Sequence, residues 1–371
     1  MFPVNSSPDE THVPHVGWLA HEGGDDVGRY VREGWFEFAE QAFWWLYLRP
    51  GDSVIDCGAH VGLFTLLASQ AVGEYGRVIA LEPNPATAAL LRKNADAIGA
   101  RNIEVIEAAA ASRPGSLTLH AGAGKTSAYS SSVAGVAGAS DIKVKAVTID
   151  DLVRDRHVES IAMLKLDVEG AELDAWKGCS QTVKANRIAL AMVEFTEANQ
   201  RAAGASSDAL VEAWSSSGFQ FHRFNAQARQ IEPADVLEPI EYENLFALRD
   251  ANPINRRLRE ASPQRQRIAR DVLKRGEAAH ALLKRGCDVE HYQQLLAELQ
   301  QRLEESLKRG SDLAHQLSDT RERLHTYAAY IDRVLNSRTG RVARALHLAN
   351  TPGWIDMLRK DLAGFEAAIN K

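Results

Sequence analysis

Cysteine is scarce in this chain. Three residues in 371, Cys57, Cys179 and Cys287, lie far apart and are odd in number. That excludes a disulfide framework and any zinc-type spacing, and it suits a reducing compartment. Long apolar runs are missing too. None approaches the roughly 20 residues needed to cross a bilayer. The N-terminus has no basic start followed by an apolar stretch, so no secretory signal is expected and the reading is cytoplasmic, at most peripheral to an inner membrane. A phosphate loop is absent as well. Gly122-Ala123-Gly124-Lys125-Thr126 looks like the end of one, but the required earlier glycine position holds Leu119. No Asn/Asp-Pro-Pro-Tyr-like tetrapeptide serves flipped-base chemistry, and no exposed aromatic array accompanies the basic residues, so no nucleic-acid substrate is expected.

What is present is an ordinary globular balance, 45% hydrophobic and 25% charged, which allows a sizeable core. The net charge of −6 conceals an asymmetry. From Ala251 onward there are 22 Lys and Arg against 15 Asp and Glu; the rest of the chain holds 21 against 34. A basic tail on an acidic body suggests two units. The tail could meet an anionic partner, but its basic residues are interleaved with Glu and Asp, as on solvated helix faces.

The chain divides into three stretches. Residues 1–50 form a lead-in, loose at first and then aromatic-rich over 27–49, where a helix packing on the next domain is expected. Residues 51–250 alternate short β-rich runs with helical patterns. Strands are expected at 53–57, 78–82, 103–106, 162–167, 188–194, 219–224 and 244–248. Helices are expected at 63–72, 85–98, 149–156, 172–177 and 206–217. This rhythm predicts an α/β fold with a parallel, Rossmann-like sheet of about seven strands. Residues 115–147 interrupt it with a hairpin-like insertion. Residues 251–371 read as helical. Leu296, Leu299, Leu303, Leu313, Leu317, Leu324, Tyr327, Ile331 and Val334 keep one 4-3 register, weakened by Ser306, Gly310 and Thr320. A coiled coil that makes the chain a homo-oligomer is expected, with a helical hairpin turning at Gly310 as the alternative.

Three segments carry chemistry. Asp56-Cys57-Gly58-Ala59-His60-Val61-Gly62 takes a strand through a glycine loop into a helix, at the sheet edge where open α/β folds bind ligands. It lacks the G-x-G-x-x-G that seats a pyrophosphate, and its acid suits a cationic ligand group. Glu82 ends the second strand about 20 residues later, where an acid accepts hydrogen bonds from ribose hydroxyls. Pro83 and Asn84 fix the turn beside it. Third, Asp167 and Glu169 sit two apart at a strand end in Lys165-Leu166-Asp167-Val168-Glu169-Gly170-Ala171-Glu172, and Glu194 ends the next strand. Such acids could orient a hydroxyl, act as a base or hold magnesium or manganese. His120 and His222 are weaker candidates, and Glu172 could simply favour a helix start.

Taken in order, these segments resemble the FkbM-type methyltransferase family over about residues 34–250. The resemblance rests on Gly51 to Gly62, Ala80 to Pro85, Val147 to Leu152, Leu164 to Glu172 and Met192 to Glu194. It implies a class I methyltransferase sheet, S-adenosylmethionine as methyl donor, and mostly O-methylation of sugars or other natural-product hydroxyls. It implies Asp56, Gly58, Gly62 and Glu82 as donor-binding residues, flanked by His60, Pro83 and Asn84, with His60 standing where the family more often has Asn. Asp167 and Glu169, with Glu194, would line the reacting centre and are the metal candidates. The segment Asn336-Ser337-Arg338-Thr339-Gly340-Arg341 resembles a short basic stretch of some bacterial surface-polysaccharide enzymes, which points to a cell-surface glycan acceptor and envelope-biosynthesis partners. The competing expectation is a non-catalytic scaffold in such a complex; the acids Asp56, Glu82, Asp167 and Glu169 favour the enzyme.

Overall fold

The computed structural model describes residues 9–21, 37–121, 140–234 and 242–283. Two compact units divide the chain, Met1–Ala297 and Glu298–Lys371, and all described residues belong to the first. The heptad register, the basic segment after it and the phosphate-loop-like stretch at 122–126 lie outside the described residues.

An eight-stranded mixed sheet forms the frame. Its strands are β3 (Ser53–Cys57), β4 (Arg77–Leu81), β5 (Ile103–Ile106), β9 (Met163–Leu166), β10 (Ala191–Phe195), β11 (Gln220–Asn225), β12 (Gln230–Pro233) and β13 (Glu243–Leu248). Across the sheet the order is β12-β11-β13-β10-β9-β3-β4-β5. Strands β5, β4, β3, β9 and β10 run parallel, and β13 enters antiparallel between β10 and β11. The first three strands step outward one way and the next two the other way, so the sheet reverses at β3 and β9. Open α/β sheets form their ligand crevice at such a reversal, beyond the carboxyl ends of the strands. This is the class I methyltransferase arrangement expected above. The strand Gln230–Pro233 was not foreseen; its four residues are too few to show a period.

Period-two alternation makes two cores. Val54, Val78, Met163, Met192, Phe246 and Leu248 face one side, buried with α1 (Phe38–Tyr47) and α2 (Leu63–Val72). Ile55, Ile79, Leu164, Leu166, Val193 and Leu245 face the other, under α4 (Ile149–Asp155), α5 (Glu172–Lys177), α6 (Ser180–Lys184) and α8 (Ser207–Ser215). There Trp176 stacks on Trp214 with ring centroids 3.5 Å apart. The remaining helices of this part are α3 (Pro85–Ala97) and α7 (Glu197–Ala202). The expected insertion at 115–147 carries β7 (Gly115–Ala121) and β8 (Ser140–Val147), antiparallel, with β6 (Ala109–Ala110) alongside β8.

The lead-in holds a hairpin where loose chain was expected: β1 (Asp9–Val13) and β2 (Gly17–His21). Its signal is weak because each strand has five residues and half are polar. What fixes it is distant in sequence. Val13, Val16 and Leu19 enter the first core, and the Asn94 amide of α3 bonds both the N–H and the carbonyl of Ala20, at 2.8 and 2.9 Å.

After residue 250 come α9 (Ala251–Arg259) and α10 (Pro263–Leu283). Ile254, Leu258, Ala261, Ala269 and Val272 share the first core with Phe43 to Leu48. Some of the tail's basic residues therefore face inward. Arg257 pairs with Asp52 at 2.6 Å and lies over the Tyr47 ring, and Arg265 donates to the Trp45 carbonyl at 3.2 Å. Among the described residues, no helix is long and apolar enough to cross a membrane. Leu258 is 1% exposed. Leu258→Ala is therefore expected to remove about 3 kcal/mol of stability, a drop of roughly 6–12 °C in Tm by calorimetry. An unchanged Tm would place α9 outside the cooperative core.

Candidate functional site

Cross-strand register sets the site. On the face covered by α1 and α2, the row Asp56, Lys165, Met192 and Phe246 crosses β3, β9, β10 and β13. Two residues further along each strand direction lie Gly58, Asp167, Glu194 and, opposite Glu194, Asn244. Apolar packing thus gives way to polar groups at the carboxyl ends of the parallel strands.

The β3 loop is held against its neighbour at a single point. Gly58 has φ +79°, and a Cβ there would lie 1.7 Å from the Asp167 carbonyl oxygen. The Asp167 N–H donates to the Cys57 carbonyl at 3.2 Å, and the Gly58 and Ala59 N–H groups both donate to the Leu81 carbonyl at 3.0 Å. The glycine is therefore required first by the protein's own backbone. Gly62, at φ +100°, admits Leu91 of α3: a Cβ would meet its Cδ1 at 2.1 Å.

Glu82 is buried at the end of β4, and each carboxylate oxygen accepts one backbone N–H at 2.9 Å, from His60 and from Asn84. It ties the two loops expected to bind a donor, and each oxygen keeps a lone pair. Burial pushes its carboxyl up to about 7, against those two hydrogen bonds. Asn84 caps α3 by accepting from the Ala86 N–H, and half-buried Pro83 lies between the two acceptors. His60 takes a left-handed conformation, φ +50°, and its buried Nδ1 has no hydrogen-bond partner. Burial pushes this imidazole down to about 4, so it is neutral. Asp56 is 0% exposed. Its Oδ2 accepts from Thr65 at 2.6 Å, while Oδ1 has no hydrogen bond and stands 3.9 Å from Lys165 Nζ. It faces protein groups and braces the loop from below.

Beyond the ends of β9 and β10, carboxylate oxygens of Asp167, Glu169 and Glu194 lie within 4.8 Å of one another. Lys165 is buried beneath them and donates to Asp167 Oδ2 at 2.6 Å. Burial pulls its ammonium down, but Asp167, Asp56 and Glu37 outweigh that and raise it, so the charge is retained. Glu169 accepts from Asn199 Nδ2 at 2.6 Å. Burial, then the charges of Asp167 and Glu172, push it up to about 8. Glu194 accepts from Thr196 at 3.1 Å and is driven well above the carboxylate range by burial and by Asp167, Glu169 and Glu172. Glu172 shapes the loop between β9 and α5. Its Oε1 accepts from the Val168 and Gly170 N–H groups at 3.0 and 3.1 Å, and its Oε2 accepts from Gln200 at 2.6 Å. It does more than favour a helix start.

Sequence reasoning missed Glu37, Lys165, Asn199, Tyr242 and Asn244 as site residues. Glu37, at the start of α1, accepts from Tyr242 Oη and from Asn244 Nδ2, the latter at 2.6 Å. Asn244 carried a readable signal, a polar residue on the strand face that continues with Phe246 and Leu248. Glu37 carried none. The histidine candidates serve elsewhere: His120 pairs with Asp141 at 2.7 Å on the β7–β8 hairpin, and His222 Nδ1 lies 2.9 Å from the Gln220 carbonyl.

Comparison with known proteins agrees with this geometry in one respect. Residues 56–225 match the family model of the methyltransferase FkbM domain. Among curated proteins, none matches the sequence. Among solved structures, the chain is similar to a methyltransferase FkbM from Methylobacillus flagellatus, at 15% identity over 60% of each chain with TM-score 0.34. It is similar to an S-adenosylmethionine-dependent O-methyltransferase from Thermotoga maritima, at 14% identity over 65% of this chain and 85% of that one, TM-score 0.33. A third is fibrillarin from Aeropyrum pernix with natively bound S-adenosyl-L-methionine, at 12% identity over 66% and 85%, TM-score 0.32. At these scores the structural likenesses carry no further weight.

Glu172 gives a pH signature. Burial raises its carboxyl from 4.5 to about 7. A folded-state pKa above the unfolded one stabilises at low pH and loses that stability as pH rises through the folded value. Its share is expected to fall by about 2 kcal/mol between pH 5.5 and 8.5. In Glu172→Gln the acceptor to Val168 and Gly170 remains, and once the Gln200 amide turns over the new amide donates to Gln200 Oε1, now a buried atom without a partner. Thermal melts across pH should show a shallower decline in the variant; parallel curves would refute the assignment.

Proposed function

We propose that this protein is an S-adenosylmethionine-dependent O-methyltransferase whose acceptor is a sugar hydroxyl of a cell-surface glycan or a related natural product. The observation that carries the donor reading is the Glu82 bridge. One buried carboxylate joins the β3 and β4 loops and keeps an acceptor lone pair on each oxygen, beside the unpartnered His60 Nδ1. Such a set fits a ligand that brings a ribose diol and a cationic centre but no phosphate. Glu82, His60 and the Gly58 loop would hold it. When bound, that donor supplies a methyl group already activated on a sulfonium.

The match of residues 56–225 to a methyltransferase domain supports the same reading. So does the carboxylate group beside this loop. A sugar hydroxyl is a weak nucleophile until its proton begins to leave, so an acceptor site needs a base or a metal. Asp167 is the first choice for the base, because it follows β9 directly against the Gly58 loop and Lys165 holds its Oδ2 at 2.6 Å. Burial and like charge hold Glu169 and Glu194 towards the protonated form; they suit orienting hydroxyls, or holding magnesium or manganese. Asn199 and Tyr242 add neutral polar groups of the kind that read a polyol.

Two measurements test this. In calorimetric titrations, S-adenosylmethionine and its demethylated product should bind, and Glu82→Gln should weaken both by about tenfold or more, the loss of a hydrogen bond to a charged acceptor. A folded protein that binds neither has lost the donor reading. With labelled donor and a panel of saccharides, Asp167→Asn should lower turnover by roughly 10²–10⁴-fold while donor affinity stays the same. Unimpaired turnover would remove Asp167 as the base.

A further inference from the structure

The carboxylates of Asp167, Glu169 and Glu194 do not by themselves make a binding site. A second feature beside them does not belong to the carboxylate cluster. Asn244 is 6% exposed, and its Oδ1 is fully buried without a hydrogen-bond partner. The orientation of this amide is settled by Glu37, which accepts from its Nδ2 at 2.6 Å. With Nδ2 donating to Glu37, the carbonyl oxygen points away from it. Asn244 is the cross-strand partner of Glu194, and partners in an antiparallel ladder project on the same face. The orphan oxygen therefore lies on the face that carries the acids. A buried acceptor left unpaired is costly, and a cation or a hydrogen-bond donor placed against it lifts that cost.

We propose that Asp167, Glu169, Glu194 and the Asn244 side-chain oxygen hold one divalent cation of the magnesium or manganese type. All four ligands are oxygens, the donor set that such ions prefer. Magnesium sits about 2.1 Å from its ligands, which places ligand oxygens roughly 3–4 Å apart. Small side-chain rotations bring a group already within 4.8 Å into that range. Lys165 does not replace the ion, since its ammonium is committed to Asp167 and lies near Asp56. Glu37 is a positioning residue: it aims Asn244 from α1, across 207 residues of sequence. The ion's use, acidifying an acceptor hydroxyl, rests on the methyl-transfer reading; its binding does not.

The test uses full-length protein stripped with chelator. Manganese chloride is titrated in, and the free ion is followed by its electron paramagnetic resonance signal. Saturable uptake of one ion per chain is expected, with a rise in Tm. Glu194→Gln should weaken uptake by about tenfold or more. Asn244→Leu should weaken it, whereas Leu258→Ala, which destabilises the fold away from the carboxylates, should retain it, so a general folding defect cannot imitate the pattern. No saturable uptake at millimolar manganese, or uptake indifferent to both Glu194→Gln and Asn244→Leu, overturns the site. The demethylated donor product is titrated into the same samples. Its binding without manganese uptake sinks the cation site alone; manganese uptake without its binding sinks the donor reading alone.

Discussion

The approach of Gly58 to the Asp167 carbonyl is the constraint on which the rest of the site depends. It brings two loops that follow different strands to backbone contact, and no side chain fits between them. The loop that turns into α2 and the loop that leads to Glu169 therefore move as one piece. The Leu81 carbonyl, accepting from Gly58 and Ala59, adds the end of β4, and Glu82 fastens that end to His60. The groups at the ends of β3 and β4 and those after β9 are positioned by one backbone junction. Any substitution at Gly58 would disturb both.

Burial then governs the charges. The polar row rests on an apolar floor of Val54, Met163, Met192 and Phe246, roofed by α1 and α2. Burial and like charge drive Glu169 and Glu194 above the ordinary carboxylate range. Lys165 is the counterweight. It lies under the cluster, not in it, and ties Asp167 to the buried Asp56. That separates the acids into one with a fixed cation at hand and others that need a proton or a ligand.

Most of the sheet was legible from the sequence because its strands are short apolar runs between glycine turns and amphipathic helices. The strand expected at 188–194 is found at Ala191–Phe195, with Ile188 making only an isolated bridge to Ile161. The hairpin at 9–21 and the strand at 230–233 were not legible, since their order comes from contacts with α3 and β11 and not from any local period. The acids of the site were legible because each ends a strand or follows one, and the Gly58 loop marks the crevice. The reason for Gly58 was legible only in part: a need for no Cβ is readable, but that the intruder is Asp167, 109 positions later, is not.

Glu37 shows where sequence reasoning stops. Nothing about a glutamate before an aromatic helix distinguishes it from a solvated first-turn acid. Its role follows from α1 lying on the face of the sheet that carries Asn244, a packing arrangement decided by Phe43 against Phe224 and Phe246. Those aromatic contacts set the height of α1 along the strands, and that height puts its first residue level with the polar row. The aromatic segment that reads as a mere cover for the sheet thus delivers a carboxylate to the Asn244 amide. Hydrophobic packing of Phe43 sets Glu37 against that amide.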